Sequence, residues 1–120
     1  MSSSCTIITN PDKVKSFNDL LISSYQAGND VIALFKRKGC PACDHTVPYF
    51  EELCKKLNGK KLVVVIVESS TAGDLFDTYR IEAIPTTIRF QKDNMKDKIV
   101  GSDFDKLSAL FKEYDIEFLN

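Results

Sequence analysis

The sequence predicts an α/β protein in which a mixed parallel and antiparallel central β-sheet is flanked by α-helices, in the order βαβαβαββα. Three observations carry this. Short β-branched or apolar runs alternate with stretches whose apolar residues recur at helical spacing. The central runs show no polar alternation, as expected of strands covered on both faces. Only the last two strand-like segments follow one another directly, so parallel crossovers are completed by one antiparallel hairpin. The 120 residues are read as a single domain, 1–120, long enough to bury roughly two-thirds of the unfolded surface without metal or disulfide staples.

The first strand is Cys5 to Thr9, short and β-branched. Asn10-Pro11 then reads as a helix start, with Asn as N-cap and Pro at the first helical position. Val14, Phe17, Leu20, Leu21 and Tyr25 form one apolar stripe that ends near Gly28. Val31 to Phe35 is a continuous apolar strand. A second helix occupies Pro41 to Leu57, with Val47, Phe50, Leu53, Cys54 and Leu57 on one face and Asn58-Gly59 as its C-cap signal. Pro48 inside it removes a backbone hydrogen bond and should bend it. Leu62 to Val67 is the most strand-like stretch and is placed centrally. Leu75, Phe76 and Tyr79 mark a short helix. Thr86 to Phe90 and Lys98 to Val100 form the hairpin, with its turn near Lys92 to Asn94. Ser102 or Asp103 caps a last helix whose apolar face is Phe104, Leu107, Leu110, Phe111 and Tyr114.

Composition narrows the function. Sixteen Lys and Arg against seventeen Asp and Glu leave a net charge of -1, which gives no general attraction to nucleic acid or to an anionic membrane. The longest apolar run, Leu62 to Val67, is far too short to span a bilayer. The opening residues carry no basic n-region and no long apolar h-region, so no cleaved leader is expected and the chain is placed in the cytoplasm. In a reducing compartment cysteines are more often catalytic or metal-binding than structural.

Of the four cysteines, Cys40 and Cys43 form a C-x-x-C pair between an apolar strand and a helix start. Cys40 thereby falls at the helix N-terminus, where free amide N–H groups and the helix dipole favour an anion. Lys36, Arg37 and Lys38 add positive charge just upstream, and Pro41 costs no intrahelical bond. A lowered Cys40 pKa and an attacking role follow. A fall from about 8.5 to about 7 raises the neutral-pH thiolate fraction roughly 15-fold, while reduced basicity takes back roughly a factor of 5. Such a shift therefore sets redox poise more than speed. Cys43, one helical turn on, is the expected resolving thiol. The competing reading is half of a zinc site, for which only His45, Cys5 and Cys54 remain as Cys or His ligands; Cys54 shares the apolar face, His45 points away, and no metal is expected. His45 is read as a surface residue, Asp44 as serving the helix dipole, and Cys54 as core packing.

Further segments make the pair more specific. Ile81-Glu82-Ala83-Ile84-Pro85-Thr86-Thr87, Pro48 beyond Cys43, and Gly101 at a wide spacing after Pro85 together resemble the thioredoxin family over nearly the whole chain. The resemblance implies a thioredoxin-like fold and a cis Ile84–Pro85 bond lying against Cys40 and Cys43. It implies active-site support from Pro41, Ala42 and Pro85, and substrate binding by Gly39, Ile84, Pro85 and Gly101. The backbone of Ile84 would pair with an extended substrate.

The chain departs from the family pattern at Gly39, where a Trp is usual, and in reading Cys-Pro-Ala-Cys, which resembles glutaredoxins. It departs again at Leu34, where a buried acid is usual, and near Val64 to Ile66, where that acid's lysine would fall. Either Glu68 or a water is then left to accept the Cys43 proton, or Cys43 deprotonates more slowly.

The function expected is reduction of protein disulfides by a Cys40–Cys43 dithiol–disulfide cycle. No cofactor is bound, and the reducing equivalents come ultimately from NADPH. The partners implied are protein disulfides and a flavoprotein thioredoxin reductase, for a monomer that contributes to electron transport and cell redox homeostasis. Two alternatives stand beside it: a glutathione-dependent, glutaredoxin-like reductase, and a thioredoxin-fold interaction module with secondary redox activity.

Overall fold

A computed structural model of the protein describes residues 4–8, 13–57, 60–68, 73–92 and 94–117. Its elements follow the expected order: β1 (Ser4–Ile8), α1 (Lys13–Gln26), β2 (Asp30–Lys36), α2 (Pro41–Lys55), β3 (Leu62–Glu68), α3 (Gly73–Thr78), β4 (Thr86–Gln91), β5 (Asn94–Val100) and α4 (Phe104–Lys112). The strands form one five-stranded sheet in the order β1-β3-β2-β4-β5. β1 and β2 both run parallel to β3, whereas β4 is antiparallel to β2 and to β5.

The unbroken apolar runs of β2 and β3 have a simple cause. Successive side chains on a strand point to opposite faces, and here both faces are covered. Val31, Ala33 and Phe35 of β2 join Val63, Val65 and Val67 of β3 in a core with Phe17 and Leu21 of α1 and Leu75 and Phe76 of α3. Ile32 and Leu34 join Leu62, Val64 and Ile66 in a second core with Phe50 and Leu53 of α2 and Leu107, Leu110 and Phe111 of α4. Phe17 meets Phe90 at 5.5 Å and Tyr79 at 5.6 Å between ring centroids, both edge-to-face. Tyr49 of α2 stacks on Phe104 of α4 at 4.5 Å, tying the two helices together above the second core.

Element ends differ from expectation in places with physical reasons. β5 begins at Asn94, four residues before the expected Lys98. It is the sheet edge, and of its side chains only Ile99 is buried, so its polar residues never displayed a strand pattern. α2 stops at Lys55, short of Leu57. Of the two proposed caps for the last helix, Asp103 takes the role, its carboxylate accepting the Lys106 N–H at 3.1 Å. The signals at Asn10-Pro11 and Asn58-Gly59 lie outside the described residues.

The sequence reading passed over Arg89, a cation inside a strand covered on both faces. Its side chain is 5% exposed and pairs with Asp97 at 2.6 Å and with Glu113 at 2.7 Å. Burial opposes its charge, but its bonds to Glu113, Tyr114 and Asp97 outweigh this and hold its pKa above the usual guanidinium range. The Tyr114 hydroxyl in turn donates to Asp30 Oδ2 at 2.6 Å, and the Gln91 amide donates to the same oxygen at 2.9 Å. β2, β4, β5 and the C-terminal end of α4 are thus joined by one polar network. Arg89→Ala is expected to lower stability by about 2–3 kcal/mol in urea denaturation. That is less than the ~3–5 kcal/mol of a wholly buried pair, because both freed carboxylates reach water. A loss under about 0.5 kcal/mol, the range of an ordinary surface change, would show that the network is incidental.

Candidate active site

The site forms where β2 hands over to α2. Gly39 turns the chain with φ +74°, a left-handed conformation that L side chains rarely adopt. No atom would crowd a Cβ there, so the backbone, not space, calls for glycine at a position where a Trp would be strained. Cys40 follows as the N-cap of α2, with extended φ and ψ, and Pro41 takes the first helical position. The Cys40 sulfur accepts the Cys43 N–H at 3.1 Å, one of the orphan donors of the first helical turn. Both cysteines are free thiols. Cys40 is 6% exposed and Cys43 is wholly buried, so Cys40 is the more accessible of the two sulfurs.

The surroundings of the Cys43 sulfur oppose its ionisation. Burial pushes the Cys43 thiol up to about 11, and its contact with Cys40 adds to this. The Arg37 backbone N–H and the positive charge of Lys36 work in the opposite direction.

A second segment closes the site. The Ile84–Pro85 bond is cis, as the family resemblance implies, and Pro85 is buried. Gly101, at φ +80°, donates its N–H to the Pro85 carbonyl at 2.7 Å. The next residue reaches α2: Ser102 Oγ lies 2.9 Å from the Ala42 carbonyl and 2.7 Å from Thr46 Oγ1, which is itself 3.0 Å from the same carbonyl. Each hydroxyl has one proton, so one donates to the other and the second donates to Ala42. Gly101 and Ser102 thereby link the Pro85 segment to the first turn of α2.

Gly39, Cys40, Pro41, Ala42 and Cys43 are therefore contiguous, with Pro85 and Gly101 bonded to each other. Ile84 differs: its side chain packs into the core of α1 and α3, leaving only its backbone for the site. His45 and Asp44 are exposed on α2, as expected. Cys54 packs beside the second core but is also disulfide-bonded, where only packing was expected. Leu34, at the position of the family's acid, faces Ile66 in register, inside the Val64 to Ile66 stretch where that acid's lysine would fall, and both are buried apolar residues. Thr46 was missed, although a polar residue one turn after Cys43 on the buried side of an amphipathic helix is a readable signal.

Residues 9–113 match the family model described as Thioredoxin. The chain is 27% identical to the mitochondrial thioredoxin-2 of Schizosaccharomyces pombe, covering 92% of this chain and 81% of the relative. It is 30% identical to an H-type thioredoxin of Oryza sativa subsp. indica, covering 76% and 73%. A poplar thioredoxin h superposes with a TM-score of 0.79 at 21% identity, covering 96% of this chain and 99% of that one.

The buried Cys43 thiol makes stability depend on pH. Its pKa is raised from 9.0 to about 11, so folding holds its proton more tightly. That contribution is complete below about 9.0 and disappears as pH rises through about 11. In urea titrations of the reduced protein, the midpoint is expected to fall across this window by more than in Cys43→Ala. Equal falls in both proteins would refute the assignment.

Proposed function

This chain belongs to the thioredoxin family and is a protein thiol–disulfide oxidoreductase, and from that premise we propose that Cys40 attacks protein disulfides and Cys43 resolves the product. The observation that carries this division is the unequal access of the two sulfurs, Cys40 at the rim and Cys43 wholly buried behind it. A sulfur at a helix N-terminus with an amide aimed at it is well placed to carry negative charge.

The substrate-reducing half of the cycle balances without a further reactant. The Cys40 thiolate attacks one substrate sulfur; the substrate disulfide breaks, and its other sulfur leaves with the bonding pair and takes up a proton. Cys43, deprotonated, then attacks Cys40 Sγ. The Cys40–substrate bond breaks as the Cys40–Cys43 bond forms, and the second substrate thiol departs. The substrate has gained two electrons and the protein is oxidised. Because Cys43 is one helical turn away, its attack is intramolecular and competes well with escape of the mixed disulfide. An extended substrate segment lies along Gly39, Pro85 and Gly101 and pairs with the Ile84 backbone as an added strand.

Re-reduction is by a flavoprotein thioredoxin reductase drawing on NADPH, with no cofactor bound to this chain. The protein acts as a monomeric single domain, 1–120, contributing to electron transport and cell redox homeostasis. A dithiol that must be re-reduced every turn fits a reducing compartment, and we place it in the cytoplasm.

Insulin reduction tests the reading in three arms: dithiothreitol, thioredoxin reductase with NADPH, and glutathione with its reductase. The first two arms are expected to support turnover. Cys40→Ser should lose activity at least about 100-fold, since no thiolate remains at the rim. Cys43→Ser should accumulate a mixed disulfide visible by intact mass, and brief iodoacetamide treatment should label Cys40 before Cys43. Turnover with glutathione alone would replace the reductase by glutathione. Labelling of Cys43 first, or full activity in Cys40→Ser, would overturn the division of roles.

A further inference from the structure

A charged pair stands at the strand ends that lead toward the sulfur centre. β2 and β3 run parallel with Lys36 opposite Glu68 at the strand ends that lead into the Cys40 turn. By strand alternation Lys36 shares the face of Ile32 and Leu34, and Glu68 shares that of Val64 and Ile66. This is the face covered by α2, the helix that carries Cys43. Both side chains are mostly buried, 18% and 15% exposed, with Lys36 Nζ 3.9 Å from Glu68 Oε1. Cys43 is a buried residue of α2 together with Phe50 and Leu53, which pack on this face, and the Lys36 charge favours its thiolate. The ion pair is held loosely, and its cation acts on a buried thiol that must ionise to complete the cycle.

Beside the Arg37 backbone N–H, the other side chains around Cys43 leave this role to Lys36. On α2, Cys40 is the sulfur to be attacked, while Asp44 and His45 are exposed. In the turn after β2, the Arg37 and Lys38 side chains are exposed. The Ile84–Pro85–Thr86 segment and Gly101–Ser102 carry no titratable group in this pH range. Asp103 is engaged in capping α4.

We propose that Lys36 is a positioning residue for the resolving step, its ammonium favouring the Cys43 thiolate, and that Glu68 restrains this effect by sharing the Lys36 charge. The proposal rests on Cys43 being the resolving thiol. Resolution itself is unchanged: the Cys43–Cys40 bond forms, the Cys40–substrate bond breaks, and the proton leaves Cys43 for solvent. Lys36 neither gains nor loses an electron or a proton. A tenfold change in thiolate population changes the rate by only about threefold, because nucleophilicity moves the other way.

Single-turnover reaction with dithiodipyridine, an uncharged aromatic disulfide, separates the steps. Release of the first thiopyridone reports attack by Cys40, and release of the second reports resolution by Cys43. At neutral pH Lys36→Met is expected to slow the second phase about threefold and to move its pH profile upward, with the first phase within about twofold. Lys36→Arg should restore the second phase. Glu68→Gln should do the opposite of Lys36→Met, speeding the second phase and moving its profile downward. A merely structural pair would shift both variants in one direction or leave the profile in place, and either result overturns the proposal. A slowed second phase in Glu68→Gln would instead make Glu68 a proton acceptor and equally overturn it. If Lys36→Met does not fold, the direction of the Glu68→Gln shift decides alone. A second phase that persists in Cys43→Ser would remove the resolving assignment itself, an outcome distinct from failure of the Lys36 proposal.

Discussion

A parallel strand pair with no polar face has to be covered twice, and β2 and β3 impose that requirement on the rest of the chain. Every residue from Val31 to Phe35 and from Leu62 to Val67 is buried. The crossovers that connect parallel strands supply the cover, α1 and α3 on one side and α2 and α4 on the other. Once Phe50 and Leu53 of α2 are drawn onto the Ile32–Leu34 face, the start of that helix is fixed beside the end of β2. Cys40 occupies the N-cap because the strand has ended and the helix must begin within the few residues around Gly39. The chemistry is located by core packing before any charge is considered.

Electrostatics then acts on the sulfur that packing has buried. An amide N–H faces Cys40, while Cys43 is buried and its thiol held well above the ordinary range. A resolving thiol that stays protonated until needed has a use: it does not compete with Cys40 for the first attack. It must still ionise within the lifetime of the mixed disulfide, and the Arg37 N–H and the Lys36 charge are the groups that favour this. Apolar Leu34 and Ile66 offer no help, so the charged pair of this chain stands two residues further along the same two strands, at Lys36 and Glu68.

Much of this was legible in the residues, for reasons that also explain the rest. Apolar runs and helical stripes report burial directly, so β2, β3 and α1 could be read from them, and the C-x-x-C pair between a strand and a helix start located the sulfurs. The cis bond at Ile84–Pro85 entered through family resemblance, since no periodicity encodes a peptide isomer. β5 was read short because an edge strand has little to bury. The pairings of Arg89, Thr46 and Lys36 were illegible for a different reason: the partners are distant in sequence. Arg89 finds Glu113 across 24 residues, and Thr46 finds Ser102 across 56. The register of the sheet and the docking of α2 and α4 on it bring such groups together.

The two ends of the sheet are consequently built on opposite rules. At the start of β2, Asp30 collects hydrogen bonds from Tyr114 and Gln91, and Arg89 is paired with two carboxylates. Most of that polarity is matched, and a matched buried network holds a single arrangement. At the end of β2, the ion pair is long, the sulfurs are unbridged, and a buried thiol is kept from its charged form only by its surroundings. An environment that fully satisfied the Cys43 thiolate would make it a second nucleophile, and one that excluded charge altogether would trap the mixed disulfide. The incompletely matched end is therefore the one that can do chemistry, and the matched end keeps α4 docked while it does so.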